Sequence, residues 1–367
     1  MTNLQNISLG RKEDWDKVVH AAPRTQPETL TARDLKSLSP KAKRGYDRIR
    51  RDWHANMGVL RTPQLVTLQE NLQDVLDSNV HDGDRTKGAV ALEGAAGLGK
   101  STAVEQFAKD FHLREIDELG PHTEDGNERW PVCRVTLSGH PTMRDLNVSL
   151  LHYFAHPGTR SGNAADFARR ALDTFLACEV RLLIVDDIHF LQWRASDGLK
   201  VSNHLKFIAN EFPVTLLMVG VDLTRSGLFN EGHPTRGPML AQTARRTTSF
   251  TLEKFKNDRQ WRKVIRTIDD ALVLTEHEKG LMPGQLSDYL YARTSGHMGS
   301  LMTLINRACS RAIRTGAEAL TFEVLESTRI DVAAEGARRD EEARIREQRR
   351  DCAKRTGKAR TTQRASA

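Results

Sequence analysis

Long hydrophobic runs are missing from this sequence. Its most apolar stretches, "RLLIVDDIHFL" and "PVTLLMVGVDL", are short and both carry aspartate, which excludes a membrane helix of about 20 apolar residues. The start, "MTNLQNISLGRKEDW", has no basic stretch leading into an apolar run, so no signal peptide is expected. Cysteine is scarce: Cys133, Cys178, Cys309 and Cys352 stand far apart with no C-x-x-C pair. That suggests neither a zinc site nor a disulfide framework and makes a reducing cytoplasm the natural compartment. Cys133, Cys178 and Cys309 read as small apolar packing residues. The histidines show no metal-ligand spacing, and there is neither an internal repeat nor a Ser/His/Asp or Cys/His pattern.

What is present is a chain of 367 residues, 38% hydrophobic and 28% charged, long enough for one large or two ordinary domains. The net charge of +7 is unevenly spread. Residues 338–364 hold eleven Lys and Arg against five Asp and Glu, and residues 1–60 hold twelve against seven. Basic ends on a near-neutral middle suit a polyanion partner, because cations near phosphates release condensed counterions. The other reading is a solvated tail that aids solubility.

Residues 1–40, with Pro23, Pro27 and Pro40 and little periodicity, read as poorly structured. A basic helix is expected over 42–53 and an amphipathic one over 62–79, where Leu65, Leu68, Leu72 and Leu76 recur at helical spacing. Strand and helix patterns then alternate from "GAVALEG" to "TTSFTLEKF", which predicts an α/β fold with a parallel sheet covered by helices on both faces. After Phe255 only helical patterns remain. The expected organisation is a basic N-terminal segment at 1–60, an α/β core at 61–256, a small all-helical lid at 257–335 and a charged basic tail at 336–367.

"GAAGLGKST" (94–102) fits G-x-x-x-x-G-K-S/T and lies between a predicted strand and helix. Gly94, Ala95, Ala96, Gly97, Leu98 and Gly99 would let backbone N–H groups curl around phosphates. Lys100 would reach the terminal phosphates, Ser101 would ligate Mg²⁺, and Thr102 continues the helix start that favours anions. The expected ligands are ATP and Mg²⁺. In "LLIVDDIHF", an apolar strand ends in two carboxylates. Asp186 is a direct or indirect Mg²⁺ partner, and Asp187 stands where a general base polarises the attacking water. "VGVDLTRSG" offers Asp222 toward a γ-phosphate, or as a loop-capping residue. Arg245 and Arg246, at the end of a helix before the fifth strand, are candidate fingers for a neighbouring subunit's γ-phosphate, or surface cations at a helix C-terminus. His189 is a relay residue or a hydrogen-bonded wall residue.

The order of phosphate loop, "IVDDIH", polar-ended fourth strand, "RR" before the fifth strand and helical lid resembles an AAA+ ATPase, a P-loop NTPase. Within that group the sequence resembles the TniB and TnsC type of transposition-helper proteins, through "YDRIRRDWHANMGVLRTPQLVTLQENLQDVL", "GAAGLGKST", "LLIVDDIHFL", "LAQTARRTTSFTLEKF" and "TSGHMGSLMTLINRA". The resemblance spans roughly residues 45–330. It implies an ATPase that forms a homo-oligomer, a ring or filament, on double-stranded DNA, recruits a DDE-type transposase and disassembles on hydrolysis. Two departures stand out. The family usually has Asp-Glu where Asp186-Asp187 stands, and one fewer CH₂ draws the base back by roughly a bond length, which implies slow turnover. The lid's "GHMGS" lacks the nucleotide-sensing arginine of many AAA+ proteins, with Gly299 or Ser300 near that place. Arg144 is a candidate DNA contact. A STAND-type signalling switch shares the Asp-Asp pair, but its usual repeat sensor or effector is not seen. A replication or repair loader is expected to carry a winged helix after the lid, for which residues 336–367 are too few.

Overall fold

The computed structural model describes residues 4, 6–81, 87–137, 142–188, 196–226 and 242–365; at 196–202, 242–243 and 351–365 it gives the backbone alone. Four helices come first: α1 (Lys12–Val19), α2 (Ala32–Ser37), α3 (Pro40–Ala55) and α4 (Pro63–Ser78). Strands and helices then alternate through β1 (Ala89–Glu93), α5 (Lys100–Leu119), β2 (Val132–Thr136), α6 (Met143–Tyr153), α7 (Ala164–Ala177), β3 (Leu182–Asp186), α8 (Ser196–Glu211), β4 (Thr215–Gly220), α9 (Leu223–Ser226), α10 (Gln242–Arg246) and β5 (Thr247–Thr251). Helices follow: α11 (Arg259–Asp270), α12 (Ser287–Thr294), α13 (Met298–Thr315), α14 (Phe322–Glu326) and α15 (Val332–Ala365). Among the described residues, no helix is long and apolar enough to cross a membrane.

The chain forms two compact units, and neither is continuous in sequence. Residues 1–22 and 61–253 make the first; residues 23–60 and 254–367 make the second.

The first unit is built on a five-stranded parallel sheet in the order β2-β3-β4-β1-β5, flanked by helices. The apolar runs LLIVD and TLLMVG make β3 and β4, buried at every position as interior parallel strands must be. Local chemistry sets the helix starts. Thr62 caps α4 ahead of Pro63, and Thr142–Asp145 and Asn163–Asp166 form reciprocal capping boxes on α6 and α7. Leu65, Leu68, Leu72 and Leu76 are buried, as their spacing predicts.

The expectation of little structure before residue 40 is corrected here. Trp15 of α1 is fully buried, its indole N–H donating to His112 Nδ1 of α5 at 3.3 Å, and His112 packs edge-on against Trp130. Burial pushes the His112 imidazole down to about 4, so it is the neutral acceptor that this bond requires.

The second unit has its own core, formed by Trp261, Ile265, Ile268, Leu290, Leu304 and Ile305 with their neighbours. Helix α3 belongs to it. Arg50, fully buried, donates to both Glu318 oxygens (2.6 and 3.0 Å) and to Asp47 (2.5 Å). His54 Nε2 accepts from the Val273 N–H at 3.0 Å, and Trp53 donates to the Ala271 carbonyl at 2.8 Å. A buried guanidinium is tolerated because both carboxylates compensate it.

Candidate nucleotide site

The loop 94–99 leaves the C-terminal end of β1, an interior strand between β4 and β5, and enters α5. Glycine is required at Gly94 by close approach: a Cβ there would stand 2.6 Å from the Leu252 carbonyl oxygen. At Gly99 it is required by conformation, since the residue opens α5 at φ 90°. Leu98 is buried beneath the loop, while Ala95, Ala96 and Gly97 are exposed. Lys100 Nζ donates to the carbonyls of Gly94 (2.8 Å) and Ala95 (2.9 Å), folding the ammonium over the loop's mouth. Burial lowers its pKa, and Asp186 and Asp187 oppose that by favouring the charged form. Ser101 and Thr102 occupy the first turn of α5.

Asp186 and Asp187 lie at the same edge of the sheet, because β3 runs parallel to β4 and β4 to β1. Asp186 is buried and accepts the backbone N–H of Asp187 at 2.9 Å. Asp187 has φ 57°, a left-handed conformation that Asp adopts more readily than longer side chains. Strain of this kind at a strand end clusters at functional sites.

Two charged groups outside the motif pattern join this site. Arg134, in the middle of β2, reaches the Asp186 carboxylate at 2.9 Å and Glu105 of α5 at 3.2 Å. Burial raises the Glu105 carboxyl, Arg134 pulls it down and Asp186 pushes it up further. Glu105 is four residues beyond Ser101 on one helix face, so a line of alternating charge runs from α5 through β2 to β3. The sequence signal for Arg134 was a guanidinium inside the otherwise apolar "PVCRVTL".

Glu93, the last residue of β1, accepts the backbone N–H and hydroxyl of Thr224, both at 2.9 Å, and pins α9 beside the loop. Asp222 is exposed at φ 49°, and its carbonyl accepts from the N–H groups of Arg225 and Ser226 to start α9. Arg245 and Arg246 are not at this edge. Thr247, which follows them, pairs with Ala89 at the start of β1, so the two arginines lie at the opposite end of a strand roughly 15 Å long. Both are exposed, and Arg246 donates to Asn210 at 2.8 Å. Arg144 is exposed on α6 with its guanidinium over the Phe167 ring. His189 lies outside the described residues. In the second unit, Ser300 donates to Asp331 at 2.7 Å, and Arg293 is buried against the carbonyls of Leu325 and Thr328.

The family described as bacterial TniB protein matches residues 50–233. The chain belongs to the TniB family. This TniB-family chain has the AAA+ ATPase fold, similar to two solved proteins of Aeropyrum pernix. One is ORC1, solved in complex with DNA (TM-score 0.55, 16% identity, covering 76% of this chain and 68% of that one). Another is ORC2, solved as ADPNP–ADP complexes (TM-score 0.54, 14% identity, 74% and 70%). No curated protein matches the TniB-family chain significantly.

Proposed function

We propose that this protein is an ATP-dependent regulator of DNA transposition that assembles on double-stranded DNA, recruits a DDE-type transposase and releases the DNA on hydrolysis. The observation that carries the reading is the split of the site across the sheet. Lys100, Ser101, Asp186 and Asp187 gather at one edge, and Arg245 and Arg246 stand at the other. A guanidinium there cannot serve its own chain's phosphate loop across a strand's length, but it can serve the loop of a second copy. In this reading a second chain supplies the arginine to the site, which couples nucleotide to assembly.

The residues present fit Mg²⁺. Ser101 and the buried Asp186 carboxylate are hard oxygen donors at one sheet edge. Among the described residues there is no cluster of three metal-ligating side chains, which suits a cation whose remaining ligands are phosphate oxygens and water. Ser101 and Asp186 would hold the ion, which when bound would neutralise charge on the transferring phosphoryl group. Lys100 and the N–H groups of Gly97 to Lys100 would orient the ATP phosphates. Asp187 would hold the attacking water and take its proton. Its short side chain suits a slow timer better than a motor. Membership of the TniB family supports the transposition role, and the DNA complex of ORC1 supports a DNA-bound state.

The test is fluorescence anisotropy of a labelled random-sequence duplex with ATP, ADP or no nucleotide, alongside Lys100→Ala. Cooperative binding that requires ATP and is abolished by Lys100→Ala is expected. Binding indifferent to nucleotide, or none in any condition, would overturn the reading.

A further inference from the structure

Charge is segregated between the two units. The sheet-bearing unit holds 23 Lys and Arg against 28 Asp and Glu, whereas the helical unit holds 32 against 20. The basic segment 23–60 and the basic tail 338–364 thus belong to one body, which carries a formal excess of twelve positive charges.

Within that unit lies a cleft of about 550 Å³ between α13 and the segment after α14. Arg307, Arg311 and Arg314 line it from α13 and Arg329 from the opposite wall. Arg307 donates to the Arg329 carbonyl at 2.9 Å, which fixes the two walls against each other. None of the four is paired with a carboxylate among the described residues. The nearest acids in sequence are already engaged: Glu318 with Arg50, Glu326 with Arg338 and Tyr289, and Asp331 with Ser300.

We propose that this cleft grips the phosphate backbone of duplex DNA, a site for the DNA-binding activity proposed above and resting on that reading. All eight lining residues are Arg, Asn, Ser or Thr. An acidic peptide would need an apolar pocket for its anchor residues, and a free nucleotide would need a platform for its base; neither is present in the lining. Phosphodiester oxygens need only guanidinium, hydroxyl and amide donors. The spacing fits as well. Positions 307, 311 and 314 span seven residues of helix, about 10 Å, over which one DNA strand presents roughly three phosphates. Arg307 and Arg314 are exposed and Arg311 half-buried, so a polymer can reach them without the unit opening.

The experiment compares wild type with a triple variant, Arg307→Ala, Arg311→Ala and Arg314→Ala, and with the same three positions changed to Lys. Duplex affinity is measured with ATP at several salt concentrations, and self-association with ATP is measured without DNA. The alanine variant is expected to lose at least about tenfold in affinity, with the slope of log K against log salt shallower by roughly 2 to 3, while the lysine variant keeps most of both. Self-association should stay at the wild-type value, and the unfolding temperature should fall by no more than about 2 to 4 °C, for the lost Arg307 hydrogen bond to the Arg329 carbonyl. An unchanged slope would overturn the inference and assign the contacts elsewhere, such as the intact tail at 338–364, while leaving the proposed function standing. Lost self-association would make the cleft a subunit contact and overturn it too. A wild type that binds no DNA in any nucleotide state would defeat both.

Discussion

Arg134 Nη2 lies 2.9 Å from the Asp186 carboxylate across neighbouring strands, and the same guanidinium nitrogen stands 3.2 Å from Glu105. A fixed cation thus holds the carboxylate that we assign to Mg²⁺, and holds it from the strand that the phosphate-loop pattern never mentions. Removing one partner of a buried pair leaves the other charge uncompensated, at a cost of about 3 kcal/mol. Arg134→Ala should therefore lower the unfolding temperature by roughly 10 °C in a unit of this size, with Arg134→Lys intermediate. A shift under about 1 °C by calorimetry would refute the coupling.

Gly94 and Gly97 separate two reasons for glycine. A methyl at Gly94 meets the Leu252 carbonyl at 2.6 Å, whereas one at Gly97 meets open space at φ 75°. Gly97→Ala should cost only the left-handed strain of about 1 to 2 kcal/mol. Gly94→Ala must also push the loop from Leu252, the residue that follows β5, so it should abolish ATP binding measured by a fluorescent analogue. Equal effects would show that contact with Leu252 does not shape the loop.

Asp187→Asn keeps the size and the left-handed preference of the side chain but removes the base. ATP should still bind and drive assembly, while turnover falls by about 10²-fold or more. Unaltered turnover in a phosphate-release assay would remove Asp187 from the mechanism.

The finger assignment is testable by mixing chains. Arg246→Ala spoils the donor edge and Lys100→Ala the receiving edge, so each alone should be inactive while a mixture regains part of the ATPase activity through hybrid contacts. No recovery at any ratio would place Arg246, hydrogen-bonded to Asn210, among ordinary surface cations.

Acid should weaken both units. Burial pushes His54 and His112 down to about 4, against about 6.5 in the unfolded chain, so the unfolded state binds more protons between these values. Stability is complete above about pH 6.5 and falls as pH drops toward 4, by up to about 2 kcal/mol per histidine at pH 5. His54→Gln should flatten that decline for the helical unit in pH-dependent melting; an unchanged profile would show that His54 is not its source.

The phosphate loop and the aspartate pair could be read from the sequence because their chemistry is local: nine consecutive residues make the loop, and one strand delivers both carboxylates. The middle of the sheet was readable for a similar reason, since the fully buried strands β3 and β4 appear as apolar runs, whereas β5, TTSFT, is polar and largely exposed. Arg134 was not, because its partners are fixed by strand register rather than by spacing. Trp15 was missed because its burial depends on His112, 97 positions away. The attachment of α3 to the helical unit depends on Arg50 meeting Glu318 at a separation of 268 residues, which no periodicity records.

The alternation of units along the chain limits how the protein can be dissected. The backbone passes from one body to the other at residues 22–23, 60–61 and 253–254. A gene truncated after residue 253 would not yield a clean ATPase module: it would keep α3 and strand Arg50 and His54 without Glu318 and Val273. Proteolytic nicking at any single crossing would likewise leave every fragment tethered to a partner. The smallest portable version of either body is a spliced chain, so recombination between relatives would be expected to exchange the two together.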